Sequence, residues 1–127
     1  MVNREIFFNM ENSGLAKEDI DKINTVFSNN QQVERVVLYG SRAKGNFKLA
    51  SDIDLTLIGR DISFVLLQQI ERDLDDLMLP WKMDVPLFED LSNPDLKEHI
   101  IRVGKELYRR EDVQNDFKNS ISFLKSD

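Results

Sequence analysis

The chain has 127 residues, no cysteine and a single histidine, His99, and its 17 basic and 23 acidic side chains leave a formal net charge of −6. That length suits one domain with a core that needs no staples. The missing cysteines exclude disulfides, thiolate nucleophiles and cysteine-ligated zinc. The single histidine excludes paired-histidine metal motifs. Net acidity argues against general binding of duplex nucleic acid, which needs a basic footprint.

One domain is expected over 1–127, with a core of about 15–108 and a tail over 109–127. Apolar runs such as Val36-Val37-Leu38 and Phe64-Val65-Leu66-Leu67 fall far short of the ~20 residues that span a membrane. Arg4 and Glu5, followed by a short apolar stretch, do not read as a secretory leader, so a cytoplasmic protein with no membrane partner is expected.

In chain order, a helix is expected over about Leu15 to Ser28, with Ile20, Ile23 and Phe27 on one face. Val33 to Tyr39 reads as a strand ended by Gly40. Ser51 to Ile58 reads as a second, in which Ile53, Leu55 and Leu57 alternate with Asp52, Asp54 and Thr56. A helix follows over Ser63 to Leu79, with Leu67, Ile70, Leu74, Leu77 and Met78 on its stripe and Pro80 as its stop. Trp81 to Leu87 is expected as a third strand. Ser92 or Asn93 caps a last helix with Pro94 in its first turn, an apolar face of Leu96, Ile100 and Val103, and Gly104 past its end. The order is α-β-β-α-β-α plus a C-terminal segment, an α+β (α/β) fold on a small mixed β-sheet flanked by helices. In the tail, Val113, Phe117, Ile121 and Leu124 recur at roughly helical spacing. They suit a helix packed on its own domain or a stripe offered to a partner.

The chemistry concentrates in Tyr39-Gly40-Ser41-Arg42-Ala43-Lys44-Gly45 and Ser51-Asp52-Ile53-Asp54. Gly40 allows a tight turn and close backbone approach. The Ser41 hydroxyl and free N–H groups at a short helical turn suit phosphate oxygens. Arg42 and Lys44 add positive charge there. From Arg35 to Ser51 there are four bases and no acid, a local basic island sized for a nucleoside triphosphate. Asp52 and Asp54 are two apart on a strand, so both point one way, ~6.6 Å apart along the backbone. Such a pair suits a hard cation such as Mg²⁺. Asp84 repeats the pattern on the third strand, as a further metal ligand or as the base that takes a hydroxyl proton. Gly-Ser followed after ten residues by Asp-x-Asp arises by chance on the order of 10⁻³ times in such a chain, which favours a functional set over a turn and a solvated strand face. His99 is expected to be solvated or hydrogen-bonded on the polar face of its helix, and Trp81 to pack in the core or at its rim rather than stack on a base.

Gly40-Ser41, ten residues and then Asp52-x-Asp54, in the context LYGSRAKGNFKLASDIDLTLIG, resembles the DNA polymerase beta-like nucleotidyltransferase superfamily and its small members, the minimal nucleotidyltransferases (MNT). The resemblance implies that Gly40 and Ser41 hold nucleotide phosphates and that Arg42 contacts phosphate. It implies that Asp52 and Asp54 bind two Mg²⁺ ions, with Asp84 as third carboxylate. The implied reaction is attack of a hydroxyl on the α-phosphate of ATP with release of pyrophosphate. Small stand-alone members are often antitoxins of HEPN–MNT pairs, which implies a HEPN RNase toxin as partner and its tyrosine as AMP acceptor. Two alternatives stand beside this reading: adenylylation of a small molecule such as an aminoglycoside, and neutralisation by binding alone. A homo-oligomer stays open.

Overall fold

A computed structural model describes residues 12–113. Helix α1 (Lys17–Ser28) buries Ile20, Ile23, Val26 and Phe27 along one stripe. Glu18 and Asp19 sit in its first turn, where carboxylates suit the helix dipole. It is followed by β1 (Val33–Tyr39), a single-turn helix α2 (Gly40–Lys44), β2 (Ile53–Gly59), α3 (Phe64–Asp75), β3 (Met83–Asp84), a 3₁₀ turn (Phe88–Asp90), α4 (Pro94–Val103) and β4 (Lys105–Arg109). The strands form one sheet in the order β3-β2-β1-β4. β1 is antiparallel to both β2 and β4, and β3 runs parallel to β2. The expected mixed sheet flanked by helices is therefore present.

The strict alternation of β2 decides what covers each face. Ile53, Leu55 and Leu57 enter the main core with α1 and with Ile70 and Leu74 of α3. The other face carries Val37, Tyr39 and Ile58 against Phe88 and Ile100, so α4 covers it in part. A bulge between Val33 and Arg35 lets Val33 join the same core as Val36 and Leu38 although its parity differs.

Four expectations are corrected. Helix α3 is capped by Ser63, whose Oγ accepts from Leu66 N–H at 3.0 Å, but it ends at Asp75 rather than Leu79. The Leu77 and Met78 amides bond three residues back, to Leu74 and Asp75, and Met78 turns out at φ 57, so Pro80 is not the terminator. Met78, expected on the apolar stripe, is 85% exposed. The third strand shrinks to Met83–Asp84 plus a single bridge from Leu57 to Leu87. Pro86 has no N–H for the ladder, and its carbonyl instead accepts from Leu57 N–H at 3.0 Å and Thr56 Oγ1 at 2.9 Å.

The fourth correction is β4, a strand that the expected order α-β-β-α-β-α does not contain. Its second residue, Glu106, is buried, with Oε2 2.6 Å from Arg35 Nη1 and Oε1 3.1 Å from Arg109 Nη1. The ladder thus runs through Arg109, and Arg110 N–H still donates to Glu34 O. The cap of α4 is Asn93, whose Oδ1 accepts from the Asp95 and Leu96 amides. Phe117, Ile121 and Leu124 lie outside the described residues. Among the described residues no helix is long and apolar enough to cross a membrane.

Candidate active site

Strand register builds the site. Tyr39 at the end of β1 stands opposite Asp54 of β2, and Asp54 stands opposite Asp84 of β3. The three residues form one row across three strands, each step about 4.8 Å. Asp52 sits just before β2 rather than within it, and is exposed, as is Asp84. Asp54 is partly buried at the centre.

The chain leaves β1 through Gly40 at φ 73, in the left-handed region. A Cβ at Gly40 would lie 2.5 Å from Asp54 Oδ2, so glycine is needed both for the turn and for the carboxylate beside it. Gly40→Ala is expected to cost about 1–2 kcal/mol in backbone strain and to push the Asp54 carboxylate out of the row. Thermal melting reads the first effect. The second appears as a loss of metal-dependent nucleotide binding larger than the loss of stability explains.

Burial, and then the like charges of Asp52 and Asp84, raise the Asp54 pKa above its ordinary value. Burial, followed by Asp54 and Asp84, pushes the Tyr39 hydroxyl up to about 12. Tyr39 is therefore a neutral phenol at physiological pH, set beside the acids. Sequence reasoning quoted it within the motif but assigned it no place in the site; its register opposite Asp54 is what places it there.

Among the described residues, no group of three His, Asp or Glu side chains is gathered tightly enough to form a ready-made cation cage. The donor chemistry nonetheless fits a hard divalent cation. Asp52, Asp54 and Asp84 are hard oxygen donors, and a cation beside them would offset the burial and the like charges of Asp52 and Asp84 that raise the Asp54 pKa.

Arg42 departs from the expected phosphate-facing role. Its side chain is buried, 2% exposed. Nη1 donates to Ser13 O at 2.9 Å, Nε and Nη2 to Ser51 O at 3.2 and 3.1 Å, and Nη2 to Leu49 O at 3.2 Å. The guanidinium lies 4.8 Å from the ring centroid of Phe47 and 5.2 Å from that of Trp81. Trp81 Nε1 donates to Leu49 O at 3.1 Å, so Trp81 packs at the rim around Arg42.

The basic island is smaller than its sequence suggests. Arg35 is buried against Glu106 and Arg42 against carbonyls, which leaves Lys44 and Lys48 exposed. Ser41 is half-buried in the turn after Gly40, and its carbonyl accepts from the Gly45 and Asn46 amides. His99 of α4 is half-buried, and its pKa is lowered by burial and then by Lys44 and Arg102.

A small mixed sheet whose first two strands are joined by a Gly-Ser turn, with a row of acids on its edge pair, defines a nucleotidyltransferase-type domain. Residues 21–113 match the family described as "Polymerase beta, Nucleotidyltransferase", and the chain belongs to that family. No curated protein matches the chain. Among solved structures, a chain of a toxin–antitoxin crystallised with AMP-PNP is similar, at 17% identity and a TM-score of 0.66, over 88% of this chain and 85% of that one. A chain of the MntA-HepT toxin–antitoxin matches at 14% identity and a TM-score of 0.63, over 87% and 84%. A chain of the tri-AMPylated Shewanella oneidensis HEPN toxin in complex with MNT antitoxin matches at 17% identity and a TM-score of 0.62, over 87% and 83%. At these identities the likeness establishes the fold.

Proposed function

We propose that this chain is a cytoplasmic, Mg²⁺-dependent nucleotidyltransferase that moves AMP from ATP to a tyrosine hydroxyl of a HEPN toxin and so acts as its antitoxin. The observation that carries the reading is the strand register, which sets Asp54 beside Asp84 just past the Gly40-Ser41 turn. Family membership supplies the reaction class. The AMPylated toxin and the AMP-PNP complex among structural relatives favour AMP and a protein acceptor.

In this reading Gly40 and Ser41 hold the nucleotide phosphates, with Lys44 at the end of the same turn. Asp52, Asp54 and Asp84 would hold Mg²⁺. The metal, when bound, supplies positive charge to the phosphate oxygens of the attacked and leaving groups. The acceptor oxygen forms a bond to the α-phosphorus as the bond to the β-phosphate bridge breaks, and pyrophosphate leaves. The acceptor proton passes to a carboxylate of the row, and Asp84 is exposed on the outer strand where an acceptor can reach it. Tyr39, neutral, adds no further negative charge.

Incubation with a HEPN protein encoded beside this chain, ATP and Mg²⁺ should add AMP to a tyrosine of that protein. The addition and the neutralisation should both be lost in Asp52→Ala/Asp54→Ala. A double variant that neutralises the toxin as well as wild type does would contradict the catalytic reading and leave binding alone. AMP appearing on an added aminoglycoside but not on the protein would point to a small-molecule acceptor.

A further inference from the structure

Resting on that reading of the acids, we infer that Arg42 is a positioning residue for the carboxylate row, not a contact to the nucleotide. One cation joins three separate segments. It bonds Ser51 O, the peptide immediately before Asp52, and Leu49 O in the same loop. The guanidinium lies over the ring of Trp81, three residues before Asp84 in the segment that leads into β3. It also bonds Ser13 O, which ties down the segment before α1. Trp81 closes the circuit through its own bond to Leu49 O, and Ile53 N–H donates to Lys82 O at 2.9 Å, so the two acid-bearing segments register beside this cluster.

The chemistry explains why the residue is an arginine. Four hydrogen bonds to three carbonyls leave from a single plane whose faces remain free for two aromatic rings. Lysine keeps the charge, but its ammonium has three donors and no flat faces, so it cannot hold Ser13, Leu49 and Ser51 and also present a planar cation to Phe47 and Trp81. A phosphate contact needs only charge and reach, so Arg42→Lys would spare it in large part. A positioning role would not be spared.

The test uses the full chain with Mn²⁺ as the metal probe and a saturating non-hydrolysable ATP analogue, with free Mn²⁺ read by paramagnetic resonance. Arg42→Lys should weaken Mn²⁺ binding about 10-fold or more, the range seen when residues behind metal ligands are lost, while the affinity for the analogue changes less than about twofold. Trp81 is the only tryptophan, so its emission should shift to the red as its contact with the guanidinium opens. Trp81→Leu, which keeps the arginine and its charge, should weaken Mn²⁺ in the same way. Val26→Ala in α1, a core change remote from the loop, should lower stability and leave Mn²⁺ affinity intact. The inference is overturned if Arg42→Lys binds Mn²⁺ like wild type while Arg42→Met loses the analogue, or if Trp81→Leu keeps full Mn²⁺ affinity. It is equally overturned if Val26→Ala weakens Mn²⁺ as much as Arg42→Lys does. Wild-type protein that binds neither Mn²⁺ nor the analogue would overturn the reading of the site itself, and this inference with it.

Discussion

Asp54→Asn is expected to abolish AMP transfer while leaving a protein that melts at a higher temperature in the absence of metal. Asp54 is the central member of the row, flanked by Tyr39 and Asp84. The amide keeps the size of the side chain and removes its charge. Metal-assisted stabilisation of a phosphoryl transition state is worth several kcal/mol, so loss of the central ligand should slow transfer by about 10³-fold or more. The stability effect has the opposite sign. A carboxyl whose pKa is raised on folding, here by burial, Asp52 and Asp84, is less well tolerated as an anion in the folded chain than in the unfolded one. The penalty is therefore present above the raised pKa and vanishes as pH falls to the ordinary aspartate value. Calorimetry in chelator should show the variant melting above wild type at neutral pH, with the two converging in acid. Added Mg²⁺ and ATP should raise the melting temperature of wild type and not that of the variant. Equal melting temperatures at neutral pH would show that the acids do not strain one another.

Glu106→Ala should produce the largest loss of stability. Its carboxylate joins Arg35 and Arg109 at 2.6 and 3.1 Å, and Arg35 is 2% exposed. Removing the anion leaves a guanidinium buried beside a lost partner, which costs about 3–5 kcal/mol. In a domain of this size that is roughly a 10–20 °C fall in Tm. Replacing both partners with apolar residues, as in Arg35→Met/Glu106→Leu, should recover part of the loss, because the buried Arg35 charge goes with its carboxylate while Arg109 still loses its contact to Glu106. The exposed Lys17–Asp21 pair is the control: it spans one helical turn at 3.2 Å, and breaking it should cost no more than about 0.5 kcal/mol.

This ion pair also shows where the sequence stops being legible. Lys105-Glu106-Leu107-Tyr108-Arg109 has no apolar alternation, so no strand is expected there. It becomes a strand because Glu106 finds its partner 71 residues away, which no local window reveals. The same distance effect misled the charge count. Arg42 lies within the motif and Arg35 just before it, and both are turned away from solvent in space. By contrast, the places of Gly40, Asp52 and Asp54 in the fold were legible because their signals are local. A glycine follows a β-strand at φ 73, and two acids interrupt an apolar alternation that β2 reproduces at Ile53, Leu55 and Leu57. Asp84 needed the further assumption that the third strand lies beside the second, and the parallel pairing of Asp54 with Asp84 supplies it. Tyr39 needed the register itself.

ATP labelled at either its α- or its γ-phosphate separates the proposed reaction from other uses of the fold. With Mg²⁺ and the HEPN acceptor, α-label should pass to the acceptor and γ-label should leave as pyrophosphate, and both should cease in Asp52→Ala/Asp54→Ala. Label reaching the acceptor from the γ-position, or α-label transferred equally well by the double variant, would contradict nucleotidyl transfer from this row of acids.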